Sequence, residues 1–262
     1  MRYYSVSKLA TIVGENPYEN PCDMFEQIWK KEDADSYFAS LKRNKPTQSY
    51  QNDQNVLHDA LRHEETKTMI ETSKLKDNIT DTVDSITETK MSLDENAQTL
   101  VKKYVKSSFS TKHGTRNETS ALNLYRSETK EDVHVYNIML NKSFDRFTIR
   151  GKIDGIVNKD KSYRKVIEIK NRTKRLFYEV RMYEMIQVQV YMNILEAKTA
   201  DLVEHYKGQL NVSNIDYDEN IIDTVYHRLQ IFDNNLTKIV HDKEYQTNYF
   251  SSPDRSEFIF HS

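Results

Sequence analysis

Two runs of β-branched and apolar residues in the middle of the chain form its clearest pattern. They flank a polar cluster at Asn158–Ser162, which is typical of a β-hairpin with its turn at that cluster. In the second run, Ile167 and Ile169 mark the face that packs on a core, whereas Glu168 and Lys170 share the opposite face. The hairpin therefore carries an acid and a base side by side on a half-buried strand.

The alternation extends beyond this hairpin. Asp132–Leu140 alternates in the same way and predicts a strand, and the polar stretch Asn141–Asp145 predicts the turn that leads into the hairpin. Together these segments predict a three-stranded antiparallel meander. Leu202–Tyr206 predicts a fourth strand later in the chain.

Helical spacing of apolar residues is the second pattern. It predicts helices at Lys8–Val13, from Pro21 onward, and at Asn96–Ser108, Glu118–Tyr125, Tyr178–Leu195 and Asp218–His241. Ser5 or Ser7 is a candidate cap for the first helix, and Gly14 is its candidate stop. We therefore expect an α/β protein with a mixed, mainly antiparallel sheet flanked by helices.

Charge is distributed unevenly along the 262 residues. The segment Tyr50–Asn96 holds 11 acids and 5 bases, a net of −6, so the remainder carries +4 within a total of −2. Its polar composition buries little apolar area. We expect a single domain, residues 1–262, with a polar, partly acidic insertion at about 45–100 that is helical or mobile.

Basic residues cluster on either side of the central hairpin. The clusters comprise Lys102, Lys103, Lys106, Lys112 and Arg116, and then Arg172, Lys174, Arg175 and Arg181. Phosphate contacts need such local charge more than a high global charge. Solvated helix faces explain each cluster equally well when it is taken alone.

Cysteine content and hydropathy exclude several classes of protein. Cys22 is the single cysteine, so one chain cannot build a disulfide framework, a zinc cluster or an iron–sulfur cluster. No apolar run approaches the ~20 residues of a membrane span, and Met1–Gly14 lacks the apolar centre of a signal peptide. We expect an intracellular, cytoplasmic protein.

The hairpin also carries the candidate chemistry. Asp154 on its first strand and Glu168 with Lys170 on its second are expected to converge, and Gly151 leaves room for backbone or ligand beside them. Adjacent carboxylates repel unless a cation lies between them, and Mg²⁺ prefers oxygen ligands. This combination is suited to phosphodiester hydrolysis. The alternative is a surface hairpin with a Glu/Lys pair.

A glutamine stands out within the apolar helix predicted at Tyr178–Leu195. Gln187 and Tyr191 are one turn apart, so both can face the site. A buried glutamine costs stability unless it is hydrogen-bonded, which favours a role in holding substrate or water. The alternative is a core glutamine bonded to backbone.

The combination of Asp154 with Glu168-Ile169-Lys170 resembles the PD-(D/E)xK nuclease superfamily. Other segments resemble motifs of the lambda exonuclease and YqaJ viral recombinase family, in the family's order. They are Ser5–Leu9 with Gly14–Tyr18, which resembles the substrate-binding motif; Gly114–Glu118, which resembles the Gly-x-x-x-Glu helix; and Tyr183–Met192, which resembles the Gln-containing helix. The motifs cover about half of the chain.

This resemblance implies a PD-(D/E)xK core and a Mg²⁺-dependent deoxyribonuclease, with Mn²⁺ as a substitute metal. It implies degradation of one strand 5′ to 3′ from double-stranded DNA ends, which leaves 3′ overhangs for a single-strand annealing protein in recombination or end processing. The resemblance also implies a homo-oligomer in the form of a ring trimer. It implies a location in a host cell or at a virus replication site. We expect no membrane association.

The resemblance also implies roles for individual residues. Asp154, Glu168 and Ile169 hold the metal, and Glu118 completes its shell. Lys170 activates water and Gln187 positions it. Substrate contacts fall to Ser7, Arg2, Arg172 and Tyr191, the first two at the 5′ phosphate.

Two other functions remain open from sequence. A structure-specific endonuclease would use the same residues but would also cut closed circular DNA. A non-catalytic DNA-binding protein would need none of them, yet Glu118, Asp154, Glu168 and Lys170 are all present.

Overall fold

The computed structural model describes residues 1–44, 117–158 and 164–261. The chain divides into two units, Met1–Asn44 with Ser120–Ser262, and Lys45–Thr119. The elements below belong to the first unit, apart from the first described residues of helix α4. The predicted insertion at 45–100, the helix predicted at Asn96–Ser108 and the basic cluster before Asn117 lie outside the described residues.

The larger sheet has five strands in the order β2-β5-β6-β7-β8. They are β2 (Val133–His134), β5 (Gly155–Asn158), β6 (Arg164–Asn171), β7 (Thr199–Tyr206) and β8 (Gln209–Asp216). All neighbours are antiparallel except β6 and β7, which run parallel. The predicted hairpin is therefore formed by β5 and β6, and the predicted fourth strand pairs with β6.

A second sheet has three strands in the order β1-β4-β3. They are β1 (Arg2–Ser5), β3 (Leu140–Ser143) and β4 (Phe147–Gly151), with β1 parallel and β3 antiparallel to β4. The predicted meander is wrong, because β4 and β5 belong to different sheets. The predicted strand Asp132–Leu140 is extended only at its two ends, as β2 and the first residue of β3.

The separation of the two sheets has a local cause between β4 and β5. The hydroxyl of Tyr191 donates a hydrogen bond to the carbonyl of Lys152 at 2.6 Å, so that carbonyl is bonded to a helix side chain instead of a neighbouring strand. A Cβ atom at Gly151 would lie 2.7 Å from the same hydroxyl. The glycine therefore lets the helix approach the strand end, and the chain turns out of the first sheet there.

Eight helices contain described residues. They are α1 (Val6–Ile12), α2 (Pro21–Glu32), α3 (Ala34–Asn44), α4 (described at 117–129), α5 (Met182–Leu195), α6 (Glu219–His241), α7 (Lys243–Ser251) and α8 (Glu257–Phe260). Asn20 caps α2 by accepting a hydrogen bond from the Cys22 amide at 2.8 Å, and Pro21 occupies its first position. Asp218 caps α6 in the same way. Ser5 stands at the N-cap of α1, but its side chain makes no capping bond.

Two hydrophobic clusters lie against the large sheet. The larger one joins α1, α2, α5 and α6 to strand residues such as Val166 and Leu202. The smaller one packs Ala121 and Tyr125 of α4 against Ile167 and other strand residues. Because alternate residues of β6 enter different clusters, this strand is buried on both faces, and the expected mixed α/β architecture is confirmed.

No helix in the described ranges combines the length and the apolar character that a membrane crossing requires.

Candidate active site

The site begins where the chain passes between the two sheets. Asp154 lies just before β5, and its Oδ2 accepts a hydrogen bond from the backbone amide of Ile169 at 2.7 Å. Ile169 stands between Glu168 and Lys170 on β6. The carboxylate of Asp154 is therefore fixed beside the strand that carries the other two charged groups.

Glu168, Lys170 and Gln187 form a closed triangle of hydrogen bonds. The Lys170 ammonium donates to Glu168 Oε1 at 2.9 Å and to Gln187 Oε1 at 2.8 Å. The amide of Gln187 donates to the same Glu168 oxygen at 2.7 Å. Gln187 thus faces the charged pair, whereas the buried glutamine that bonds to backbone is Gln189, which donates to the carbonyl of Asp216.

This triangle lies largely away from solvent. Glu168 is 4% exposed. Burial disfavours the charged form of Lys170, but the charge and hydrogen bond of Glu168, with the charges of Glu184 and Asp154, outweigh it and raise the pKa of Lys170. Lys170 therefore keeps its positive charge between the acids.

Tyr191 bonds to the chain just before Asp154. Its side chain is buried, and its hydroxyl is used by the carbonyl of Lys152. Burial, followed by the charges of Glu168 and Asp154, raises the pKa of Tyr191. This bond holds the segment leading to Asp154, Tyr191 and Val6 occupy the room expected beside Gly151, and the predicted substrate contact of Tyr191 stays a prediction.

Arg172 is also placed differently from the prediction. Its guanidinium donates two hydrogen bonds to Glu184, at 2.6 and 3.0 Å, and one to Glu204 at 2.6 Å. Glu204 also accepts from the backbone amides of Phe177 and Tyr178. Arg172 therefore belongs to a buried ion-pair network, and its contact with phosphate stays a prediction.

The N-terminal arginine has protein partners as well. Arg2 pairs with Glu32 at 2.5 Å and with Asp233 at 3.0 Å, and it donates to the hydroxyl of Thr237 at 2.7 Å. Tyr4 donates to the same Asp233 carboxylate. These contacts tie β1 to α2 and α6, and the predicted contact of Arg2 with a 5′ phosphate stays a prediction.

A model of the YqaJ-like viral recombinase domain matches residues 63–198, a little over half of the 262-residue chain. The chain belongs to the YqaJ-like viral recombinase family. This is the lambda exonuclease family of the PD-(D/E)xK superfamily, so the chain is a nuclease that acts on DNA. The matched range contains Glu118, Asp154, Glu168, Lys170 and Gln187.

Similar solved structures include an alkaline exonuclease from Laribacter hongkongensis, with 18% identity, a TM-score of 0.39, and 53% of this chain and 71% of that chain covered. A phage-related exonuclease from Haemophilus somnus 129PT has 13% identity, a TM-score of 0.40, and 96% of each chain covered. Both similarities are too weak to assign a function to this chain. None of the curated proteins compared with the chain matches it significantly.

Two further residues of the YqaJ-like pattern keep their roles only as predictions. Glu118 is half-buried on α4 but belongs to the unit Lys45–Thr119, so its role as a further acid stays a prediction. Ser7 is exposed in the first turn of α1, and its hydroxyl lies 2.9 Å from that of Ser5. Ser5 is paired with Arg150 across β1 and β4.

The acids of this YqaJ-like site fit a hard divalent cation by the chemistry of their donors. Asp154 and Glu168 supply carboxylate oxygens, and the backbone carbonyl of Ile169, the third ligand that the resemblance implies, stays a prediction. Within the described ranges, no group of three His, Cys, Asp or Glu side chains could hold a metal ion. Mg²⁺ does not require such a group, because it usually binds one or two carboxylates together with waters and substrate phosphates.

Sequence reasoning missed three residues around the site. Glu184 and Glu204 hold Arg172, and Arg150 is an exposed cation four residues before Asp154. Glu184 gave a detectable signal, because an acid within so apolar a helix requires a partner. The positions of Glu204 and Arg150 depend on strand pairings that the sequence did not reveal.

Proposed function

We propose that the chain is a divalent-metal-dependent exonuclease that degrades one strand of duplex DNA in the 5′ to 3′ direction and leaves a 3′ overhang. The hydrogen-bonded arrangement of Asp154, Glu168, Lys170 and Gln187 carries this proposal. Membership of the YqaJ-like family supports DNA as the substrate. A single-strand annealing protein that takes up the overhang is the proposed partner.

The proposed reaction is hydrolysis of a phosphodiester. A water oxygen attacks phosphorus, and the bond from phosphorus to the 3′ oxygen breaks. A 5′-mononucleotide departs with the 3′ oxygen, and the shortened strand keeps a new 5′ phosphate. Mg²⁺ or Mn²⁺, held by Asp154, Glu168 and the carbonyl of Ile169, would polarise a phosphoryl oxygen and stabilise the leaving oxygen. Glu118 is the proposed additional acid.

Lys170 and Gln187 act on the water in this proposal. The ammonium of Lys170 already donates to two oxygens of the site, so it can donate to the attacking water and to charge that develops on phosphate. Gln187 offers both an acceptor and a donor within the same triangle. It therefore holds Lys170 in place and orients the water.

The 5′ phosphate is proposed to bind on the exposed side of β1 and β4. Ser7 supplies a hydroxyl, and Arg150, in place of Arg2, supplies the cation. Arg150 is exposed, and its guanidinium lies 4.6 Å from the centre of the Tyr3 ring. The position of Arg150 four residues before Asp154 supports a phosphate site next to the scissile bond.

The test compares linear duplex DNA with covalently closed circular DNA of the same sequence, each with Mg²⁺ and with excess chelator. We expect loss of the linear DNA only, with Mg²⁺ only, and with mononucleotides as products. Activity should return with Mn²⁺ but not with Ca²⁺, which activates water poorly. Cutting of the closed circle would favour a structure-specific endonuclease, and undiminished cutting in chelator would overturn the metal-dependent mechanism.

A further inference from the structure

Aromatic and basic side chains from the loop between β6 and α5 gather with Tyr183 of α5 and with Tyr18, which lies between α1 and α2. We call Tyr18, Phe177, Tyr178, Arg181 and Tyr183 the basic–aromatic platform. The guanidinium of Arg181 lies 3.9 Å from the centre of the Phe177 ring. It donates to the hydroxyls of Tyr18 at 3.0 Å and of Tyr183 at 3.2 Å. One arginine therefore joins three rings.

The two tyrosines of this group also contact each other. Tyr18 and Tyr183 meet edge to face, with ring centres 5.8 Å apart. Such contacts hold aromatic rings in a fixed orientation. Yet Tyr18 remains 63% exposed and Tyr178 is 71% exposed. The platform is thus rigid at its base while two rings remain open to solvent.

Tyr178 is presented outward by an unusual backbone conformation. Its φ is 60°, a region that a bulky residue rarely adopts because of steric strain. The amide of Tyr178 donates to the buried carboxylate of Glu204 at 2.9 Å, which secures the conformation. A strained backbone held by a buried acid, with an aromatic ring left in solvent, indicates that the ring serves a ligand.

The platform lies directly beside the proposed reaction centre. Glu204, which holds the loop, is paired with Lys170 across β7 and β6. Tyr183 is one helical turn before Gln187, so both project from the same side of α5. A nucleotide that extends a short way beyond the scissile phosphate would therefore reach the platform.

Charge on the connecting loop suits a polyanion. Residues 172–181 contain Arg172, Lys174, Arg175 and Arg181 against a single acid, Glu179. Arg172 is neutralised by its buried acids, but Lys174 and Arg175 are exposed. Exposed rings that alternate with exposed cations are the arrangement that binds single-stranded nucleic acid, since bases stack on the rings and phosphates pair with the cations.

We propose that the basic–aromatic platform binds the unpaired bases of a DNA strand as that strand enters or leaves the active site. This inference rests on the proposed nuclease function and adds to it a site for single-stranded DNA. Tyr18 and Tyr178 stack on bases, Arg181 holds Tyr18, Glu204 holds the backbone of Tyr178, and Lys174 with Arg175 meets the phosphates.

The experiment measures binding without cleavage. Fluorescence anisotropy in excess chelator compares a short single-stranded oligonucleotide with an abasic strand of equal length and charge. The unmodified chain should bind the base-containing strand about tenfold more tightly, because stacking is worth about that factor per base. The double variant Tyr18→Ser/Tyr178→Asn should lose this preference, since asparagine tolerates positive φ and removes only the ring.

Two further variants separate stacking from folding. Tyr178→Phe should keep the preference, because it keeps the ring. Tyr136→Asn removes another exposed tyrosine, located between β2 and β3, and should leave the preference unchanged. Loss of the preference in this control would overturn the proposal.

The outcomes distinguish this inference from the nuclease proposal. A chain that digests linear duplex normally but binds both strands equally overturns the platform, and its exposed rings then serve a protein partner or none. A chain that prefers the base-containing strand but never cuts DNA supports the platform and overturns the nuclease proposal.

Discussion

At the scale of single residues, the question for Lys170 is whether its ammonium takes part in cleavage or only balances the charge of Glu168. Its ammonium bonds to Glu168 and Gln187, which is compatible with both roles. Lys170→Ala should lower the cleavage rate by about 10²- to 10³-fold, the usual loss when one donor to developing charge is removed. DNA affinity should change little, because it comes from dispersed phosphate contacts. Single-turnover kinetics and binding in chelator measure the two effects.

Lys198→Ala is a matched control for this variant. Lys198 is exposed and directly precedes β7, at the opposite end of that strand from Glu204 and the site. Its loss should leave both rate and affinity unchanged. Normal cleavage by Lys170→Ala would instead show that Lys170 is only the charge partner of Glu168.

Arg172 shows what a residue's neighbours in sequence cannot reveal. Its basic surroundings predicted a phosphate contact, but its partners come from α5 and β7, which are distant in the chain. Arg172→Ala leaves Glu184 and Glu204 buried without their cation and should lower the free energy of unfolding by about 3–5 kcal/mol. Urea denaturation measures this change. Unchanged stability combined with weaker DNA binding would restore the original prediction.

The same network predicts a dependence of stability on pH. Burial alone would raise the pKa of Glu204, but the Tyr178 amide and Arg172 outweigh it and hold the pKa below its ordinary value of 4.5. Folding therefore favours the charged carboxylate. Its contribution is complete above the ordinary pKa and is lost as pH falls through the lower folded pKa. Unfolding free energies between about pH 7 and about pH 3 should fall less steeply in Glu204→Gln; an identical slope would contradict the assignment.

At the scale of elements, the periodicity of apolar residues predicted the amphipathic helices and strands. The predicted helices that begin at Pro21 and Asp218 correspond to α2 and α6, because their apolar residues face one core. Alternation also found the strands of the hairpin. It could not assign strands to sheets, since the turn between β4 and β5 depends on Tyr191, which is far away in sequence. Strand β8 alternates only at Leu210 and Val212 before Asn214 interrupts the pattern, and it was not predicted.

The contact from α5 to this turn gives a prediction about positioning. Tyr191→Phe removes the bond to the Lys152 carbonyl and should cost about 0.5–1.5 kcal/mol of stability. Because Asp154 follows Lys152 by two residues, the variant should also need a higher Mg²⁺ concentration for half-maximal activity. Magnesium titrations of the initial rate measure the shift.

Tyr226→Phe is the control, because it removes a comparable bond to α5, at Asn193 and 2.7 Å long. It should cost similar stability and leave the magnesium requirement unchanged. Equal magnesium curves for all three proteins would show that Tyr191 does not position Asp154.

At the scale of the whole molecule, the order of motifs was more informative than any composition. The net charge of −2 gave no sign of a DNA-binding protein, since acids at Tyr50–Asn96 mask a basic remainder. Family membership follows from the residues that recur in order along the chain. The parallel pairing of β6 with β7 agrees with the helix predicted between them, because a helical crossover joins parallel strands.

The last prediction concerns how the whole molecule handles a DNA end. Each cut leaves a 5′ phosphate, so an enzyme that binds this group retains its substrate and digests processively. Duplexes with a 5′ phosphate should be degraded about tenfold faster than 5′-hydroxyl duplexes, the effect of one charged hydrogen bond. Ser7→Ala and Arg150→Ala should each reduce this ratio, whereas Arg2→Ala should lower stability and leave the ratio intact. Light scattering tests the ring trimer, for which three chains per particle are expected. A monomer that stays processive against excess competitor DNA would show that a ring around the DNA is not needed.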